Sequence, residues 1–145
     1  MNLQLNGKSA LVTGSTAGIG LAIATALAKE GAQAIVNGRS DLRVKEAMRA
    51  SGATDGIAAD LGSDEGARAI TRRFPTLDIL VNNVGIFEPK PFEEIPDSDW
   101  RRLFEVNVLS GIRLSRHYLG PMKKNNWGRI LEWSRNSCDI AVILQ

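Results

Sequence analysis

The sequence is short of the residues that build metal centres, disulfides and charged binding faces. Its 145 residues include one cysteine, Cys138, and one histidine, His117. A lone cysteine cannot close an internal disulfide, and one Cys with one His leaves no cluster at metal-ligand spacing, so no metal site is expected. The amino terminus has no basic stretch leading into an apolar core, and a secretory signal is not expected. No apolar run approaches the roughly 18–20 residues that span a bilayer. Charge of one sign is also lacking: 18 Lys+Arg against 16 Asp+Glu give a net +2. That balance, scattered along the chain, argues against nucleic-acid and membrane partners and leaves a cytoplasmic location as the expectation. With 43% hydrophobic and 23% charged residues, the chain can fill one globular core.

What is present is an alternation. Short aliphatic runs at Ala10-Leu11-Val12, Ala34-Ile35-Val36, Gly56-Ile57-Ala58-Ala59, Ile79-Leu80-Val81 and Arg129-Ile130-Leu131 are separated by amphipathic stretches. Nearly continuous apolar strands suit a parallel sheet covered on both faces. Ile19, Ile23 and Leu27 stand at helical spacing and are closed by Gly31, a suitable helix C-cap. Two more helices are expected over Asp41 to Ser51 and over Ser63 to Phe74, the latter opened by Ser63 as N-cap and stopped by Pro75. The order implies α/β architecture with a doubly wound parallel sheet in three αβα layers. Gly85 to Pro96 reads as a loop at the carboxyl end of the fourth strand, where open α/β sheets bind ligands. A long helix is expected from Asp97 to Lys124, with Trp100, Phe104, Asn107, Gly111, Leu114, Tyr118 and Met122 along its core-facing side. Asn107 is the polar member of that stripe; taken alone, its amide could simply satisfy neighbouring backbone groups.

The strongest local signal is Thr13-Gly14-Ser15-Thr16-Ala17-Gly18-Ile19-Gly20, between the first strand and the first helix. Its glycines permit a tight turn and let backbone N–H groups approach a diphosphate at the positive end of the helix dipole. The spacing differs from G-x-G-x-x-G, and no lysine follows as a P-loop requires.

The segment resembles the short-chain dehydrogenase/reductase family, whose glycine motif is Thr-Gly-x-x-x-Gly-x-Gly. A second family marker, Asn-Asn-Ala-Gly, is matched by Asn82-Asn83-Val84-Gly85, with Val replacing Ala. The resemblance extends over roughly residues 5 to 130. It implies a Rossmann-like domain over 1–130 that lacks the family's last strands and helices. It further implies cofactor contacts from Gly14, Ser15, Thr16, Gly18, Ile19, Gly20, Asn83 and Gly85, adenine contacts from Asp60 and Leu61, and a catalytic role for Asn107. A methyltransferase also carries glycines after its first strand, but Asn82 to Gly85 and Asn107 argue against one.

Cofactor choice is read at the end of the second strand. An acid there would accept hydrogen bonds from the ribose 2′-OH of NAD and repel a phosphate. The chain has Asn37-Gly38-Arg39-Ser40: neutral Asn37 removes the repulsion, while Arg39 and Ser40 offer donors to a phosphate. NADP(H) is therefore favoured over NAD(H).

The resemblance implies hydride transfer between nicotinamide and a small-molecule carbonyl or alcohol. It also implies homo-oligomers for a full-length family member. In the family a tyrosine moves the hydroxyl proton, a lysine four residues later lowers its pKa, and a serine orients the carbonyl. This sequence has no such Tyr-x-x-x-Lys pair; its one tyrosine, Tyr118, is followed four residues later by Met122. Ser134 stands at the family's first serine position and is the candidate catalytic serine, whereas Arg135 falls where the substrate-orienting serine is expected. Glu132 and Arg135 break the apolar pattern of the fifth strand, and residues 131–145 are expected to be a non-family tail, as from a frameshift or fusion. The fifth strand is then expected to have an unpaired edge. The reading from another class is a non-catalytic NADP(H)-binding or interaction module.

Overall fold

Ala10, Leu11 and Val12 are fully buried, and their side chains leave the strand on alternating sides. The computed structural model describes residues 3–132 and 141–142. β1 (Ser9–Val12) is the centre of a parallel sheet with β2 (Gln33–Gly38), β3 (Asp55–Ala58), β4 (Ile79–Asn82) and β5 (Arg129–Glu132), in the order β3-β2-β1-β4-β5. Ala10 is in register with Ala34 on one side and Ile79 on the other. The switch in strand order beside β1 opens a crevice at the carboxyl ends of the strands, the general ligand position in such sheets.

Period two divides the core. Ala10, Val12, Val36 and Val81 pack with Ala24 of α1 (Gly18–Lys29) and with Val44 and Ala47 of α2 (Asp41–Ser51). Leu11, Ile35, Leu80 and Ile130 pack on the other face with Ile70 of α3 (Asp64–Arg73) and with Leu114, Tyr118 and Met122. The expected termini are present: Gly31 has φ +85°, and the Ser63 hydroxyl accepts the Gly66 N–H at 3.2 Å. The architecture is the Rossmann-like αβα sandwich that the alternation implies.

Two expectations are corrected. The long helix is interrupted: α4 (Asp97–Phe104) passes through a π-turn at Glu105–Leu109 into α5 (Ser110–Lys124). The wider turn accommodates an extra residue, shifting the phase of everything before it by about 100° relative to regular helical spacing. Gly111, Leu114, Tyr118 and Met122 therefore face the core, while Trp100 and Phe104 are 48% and 55% exposed. Trp100 instead meets Phe92 edge-on, with centroids 6.2 Å apart.

Nor is the edge of β5 bare, because β6 (Ala141–Val142) pairs with it antiparallel, placing Val142 opposite Ile130. Glu132 also finds partners, since its carboxylate accepts the Asn82 amide N–H at 2.6 Å and the Ser115 hydroxyl at 3.2 Å. Ser134, Arg135 and Cys138 lie outside the described residues.

Candidate functional site

Thr13 ends β1 by joining it to the end of β4. Its hydroxyl donates to the Val81 carbonyl and accepts the backbone N–H groups of Asn83 and Val84 at 2.9 and 3.0 Å. Asn83 returns the tie: its Nδ2 donates to the Thr13 and Gly14 carbonyls at 2.9 and 3.0 Å. Asn83 thus braces the glycine turn from behind and is not among the residues that line the cleft.

Two of the three glycines have distinct physical tasks. Gly14 takes φ +59°, a conformation costly for any side chain, and leads the chain out of β1. A Cβ on Gly20 would lie 2.5 Å from both Asn83 Nδ2 and the Gly14 carbonyl, so the close seating of α1 on the turn requires glycine. The amino end of α1 has neither a side-chain cap nor an acidic residue in its first turn, and Ile19 stands 51% exposed beside it. Such an end offers unpaired N–H groups and a positive dipole to an anion.

Ser15 and Asn37, both predicted to contact a cofactor, serve the scaffold. The Ser15 hydroxyl donates to the Val12 carbonyl at 2.7 Å and accepts the Asn37 N–H at 2.9 Å. The Asn37 amide donates to the Ile57 and Ala59 carbonyls, each at 3.2 Å, and its Oδ1 accepts the Gly14 N–H at 3.3 Å. With 1% exposure, Asn37 ties β2, β3 and the turn together from the cleft floor. Its direction is set by those hydrogen bonds, which hold the amide against the neighbouring β3 while the residue still lines the cleft.

The crevice itself is a cleft of about 700 Å³. The glycine turn contributes Gly14 and Thr16. Gly38, Arg39, Ser40 and Arg43 come from the β2–α2 corner, and Asp60, Leu61 and Gly62 from the β3–α3 corner. Gly85 and Ile86 after β4, with Arg102 and Val106 of the helical arm, complete the wall. At Gly38 a Cβ would meet Thr16 Cγ2 at 2.4 Å, so the last residue of β2 presents no side chain and Thr16 fills the space. Asp60 is held in its turn by accepting the Gly62 N–H at 2.9 Å and is the one carboxylate among the lining residues. Arg39 and Arg43 have no ion-pair or hydrogen-bond partner among the described residues, whereas Arg102 donates to Glu88 at 2.8 and 2.9 Å. Arg43, Arg102 and Val106 were not foreseen; the only prior signal for Arg43 was its position one helical turn after Arg39.

Asn107 sits in the π-turn, where its amide pairs with both backbone groups of Ile86, accepting the N–H at 2.7 Å and donating to the carbonyl at 3.0 Å. The side chain therefore fixes the loop after β4 against the helix, satisfying neighbouring backbone groups. Tyr118 is buried, its hydroxyl donates to the Phe74 carbonyl at 2.7 Å, and burial pushes its phenol above the ordinary value. It packs under α3 and is unavailable for proton transfer at the crevice.

The family model for short chain dehydrogenases matches residues 8–144. The chain belongs to the short-chain dehydrogenase family. Within that family it is 48% identical over 137 residues to an uncharacterized oxidoreductase, YvaG, of Bacillus subtilis (strain 168), covering 90% of this chain and 52% of that one. D-beta-hydroxybutyrate dehydrogenase of Cupriavidus necator is 42% identical over 137 residues, with 88% and 53% covered. Among solved structures, L-sorbose reductase from Gluconobacter frateurii, complexed with NADPH and L-sorbose, superposes with a TM-score of 0.85 at 35% identity, over 91% of this chain and 54% of that one. The chain spans about half the length of the curated relatives it matches.

Proposed function

We propose that the chain forms the NADP(H)-binding half of a short-chain dehydrogenase/reductase that acts on a small carbonyl or alcohol. The single observation that carries the cofactor preference is the pair of unpartnered guanidinium groups, Arg39 and Arg43, at a β2 terminus bearing no carboxylate. A phosphate on the adenine ribose gains charge-assisted hydrogen bonds there, while a bare 2′-OH finds no acid to accept from it. The glycine turn and the uncapped start of α1 suit the diphosphate, with Gly14, Gly18, Ile19 and Gly20 supplying close backbone approach. When bound, the nicotinamide supplies hydride exchange with the substrate carbon. The protein's share is orientation: Asn83 and Thr13 hold the turn, Asn107 holds the Gly85–Ile86 loop, and Ser134 is the candidate hydroxyl toward substrate.

Supporting relatives include L-sorbose reductase with NADPH and a 3-oxoacyl (acyl-carrier-protein) reductase from Agrobacterium tumefaciens C58 with NADP bound, the latter at TM-score 0.82 and 31% identity. The exposed Trp100, Phe104, Val108 and Ile112, four residues apart on the helical arm, fit a homo-oligomeric contact. A second reading, an NADP(H)-binding module without chemistry, is favoured by Tyr118 being buried and bonded to the Phe74 carbonyl, away from the cleft. The domain 1–130 carries the binding function under both readings.

The double variant R39Q/R43Q tests the preference. Losing two charge-assisted contacts, worth about 1.5–3 kcal/mol each, should weaken NADP+ binding at least tenfold by calorimetry, while NAD+ affinity moves less than about twofold. An equal loss for both dinucleotides would place the phosphate elsewhere.

A further inference from the structure

Arg39 and Arg43 are free, but Arg102 is not, and that difference assigns the two walls of the cleft. Arg102 engages both Glu88 oxygens through Nη1 alone, at 2.8 and 2.9 Å. A guanidinium carries five N–H groups, so Nε, Nη2 and the flat face remain available. Its side chain is still 51% exposed. The paired carboxylate makes this wall less favourable to a phosphate than the corner of Arg39 and Arg43, and it fixes the plane.

The surroundings are apolar. Val106 stands four residues further along the helical arm, and its Cγ2 lies 3.3 Å from where a Gly62 Cβ would be, so this side of the arm overhangs the Asp60–Gly62 turn. Leu61, 2% exposed, and Ile86 line the same wall. An oriented planar cation above an aliphatic floor suits an aromatic heterocycle, which stacks on the guanidinium face and offers ring nitrogens to its free donors.

We propose that Arg102, oriented by Glu88, is the lid over the purine base of the nucleotide, a specificity-determining contact separate from the phosphate-facing Arg39 and Arg43. The proposal rests on the reading that an adenine dinucleotide occupies this cleft. Base recognition is common to NAD+, NADP+ and 5′-AMP, whereas phosphate recognition is not.

Calorimetric titration of wild type, R102A, R102K and E88Q with those three nucleotides tests it. R102A should weaken all three by a similar factor, roughly five- to tenfold, leaving the NADP+/NAD+ ratio unchanged. R102K keeps the charge and loses the plane, and should fall with R102A. E88Q removes the charge and one of the two acceptors that fix the guanidinium plane, and should weaken all three nucleotides together, by less than R102A. The lid is overturned if R102A affects NADP+ but not NAD+, if R102K binds like wild type, if E88Q weakens NADP+ alone, or if R102A changes nothing. Wild type that binds none of the three nucleotides overturns the cleft assignment itself, an outcome distinct from any failure of Arg102.

Discussion

Gly20→Ala is expected to abolish dinucleotide binding and to lower stability by about 2–3 kcal/mol, a fall in Tm of roughly 6–12 °C. The new Cβ would stand 2.5 Å from the Gly14 carbonyl and 2.9 Å from Ser15 Cα, both backbone, as well as 2.5 Å from Asn83 Nδ2. Backbone cannot step aside as a flexible side chain can, so α1 must lift from the turn. Lifting it breaks the Asn83 brace to Thr13 and Gly14 and moves the helix start away from the diphosphate position. Gly18→Ala is the control. At φ +57° with nothing within 4 Å of the added methyl, it bears only the conformational penalty of about 1 kcal/mol. Thermal melts of the two variants check the contrast, and NADPH titration of Gly20→Ala checks the loss of binding; equal melts would mean that close seating of α1 is not what the motif provides.

Asn37→Asp is the second large effect, and its direction is diagnostic. If residue 37 faced the ribose, an acid there should turn the protein toward NAD+. The structure points Nδ2 at the Ile57 and Ala59 carbonyls, 3.2 Å from each, in a position 1% exposed. In a carboxylate the oxygen replacing Nδ2 would face two carbonyl acceptors in the interior, while the other keeps the Gly14 N–H, costing about 3 kcal/mol or more at neutral pH. Repulsion and burial hold the introduced carboxyl above its unfolded value near 3.9. The folded state then keeps its proton longer than the unfolded state, and stability falls as pH rises from that unfolded value through the folded one. The deficit against wild type should therefore be smallest near pH 4 and largest at neutrality, with the NADP+/NAD+ ratio unchanged. A variant melting like wild type at pH 7 and preferring NAD+ would show that residue 37 reaches the cofactor after all.

These two residues mark where the sequence was legible and where it was not. The strands and helices could be read because the aliphatic runs of β1, β2 and β4 are buried on both faces and the helices carry their own punctuation. Gly31 takes the left-handed conformation, Ser63 caps α3, and Pro75 follows its end. The glycine turn was legible as a motif because its spacing is tied to backbone approach. Side-chain direction was not: whether Asn37 faces the cleft or the sheet depends on the pleat and on the register placing Asn37 beside Ile57, which composition does not reveal. The π-turn was hidden for a related reason, since an apolar stripe counted at three- and four-residue steps absorbs one extra residue without a visible break. Arg43 and Arg102 looked like ordinary surface charges. Only the fold distinguishes an arginine without a counterion from one held by Glu88. Glu132 looked foreign to a covered strand until Asn82 and Ser115 appeared beside it.

The central claim is that the crevice over β1 holds a dinucleotide carrying a 2′-phosphate. Isothermal calorimetry of the unmodified chain with NADP+ and NAD+ in parallel, at low ionic strength, addresses it most directly. Saturable one-to-one binding is predicted, at least tenfold tighter for NADP+. Heat signals no different from buffer for both nucleotides, from protein that melts cooperatively, would contradict it.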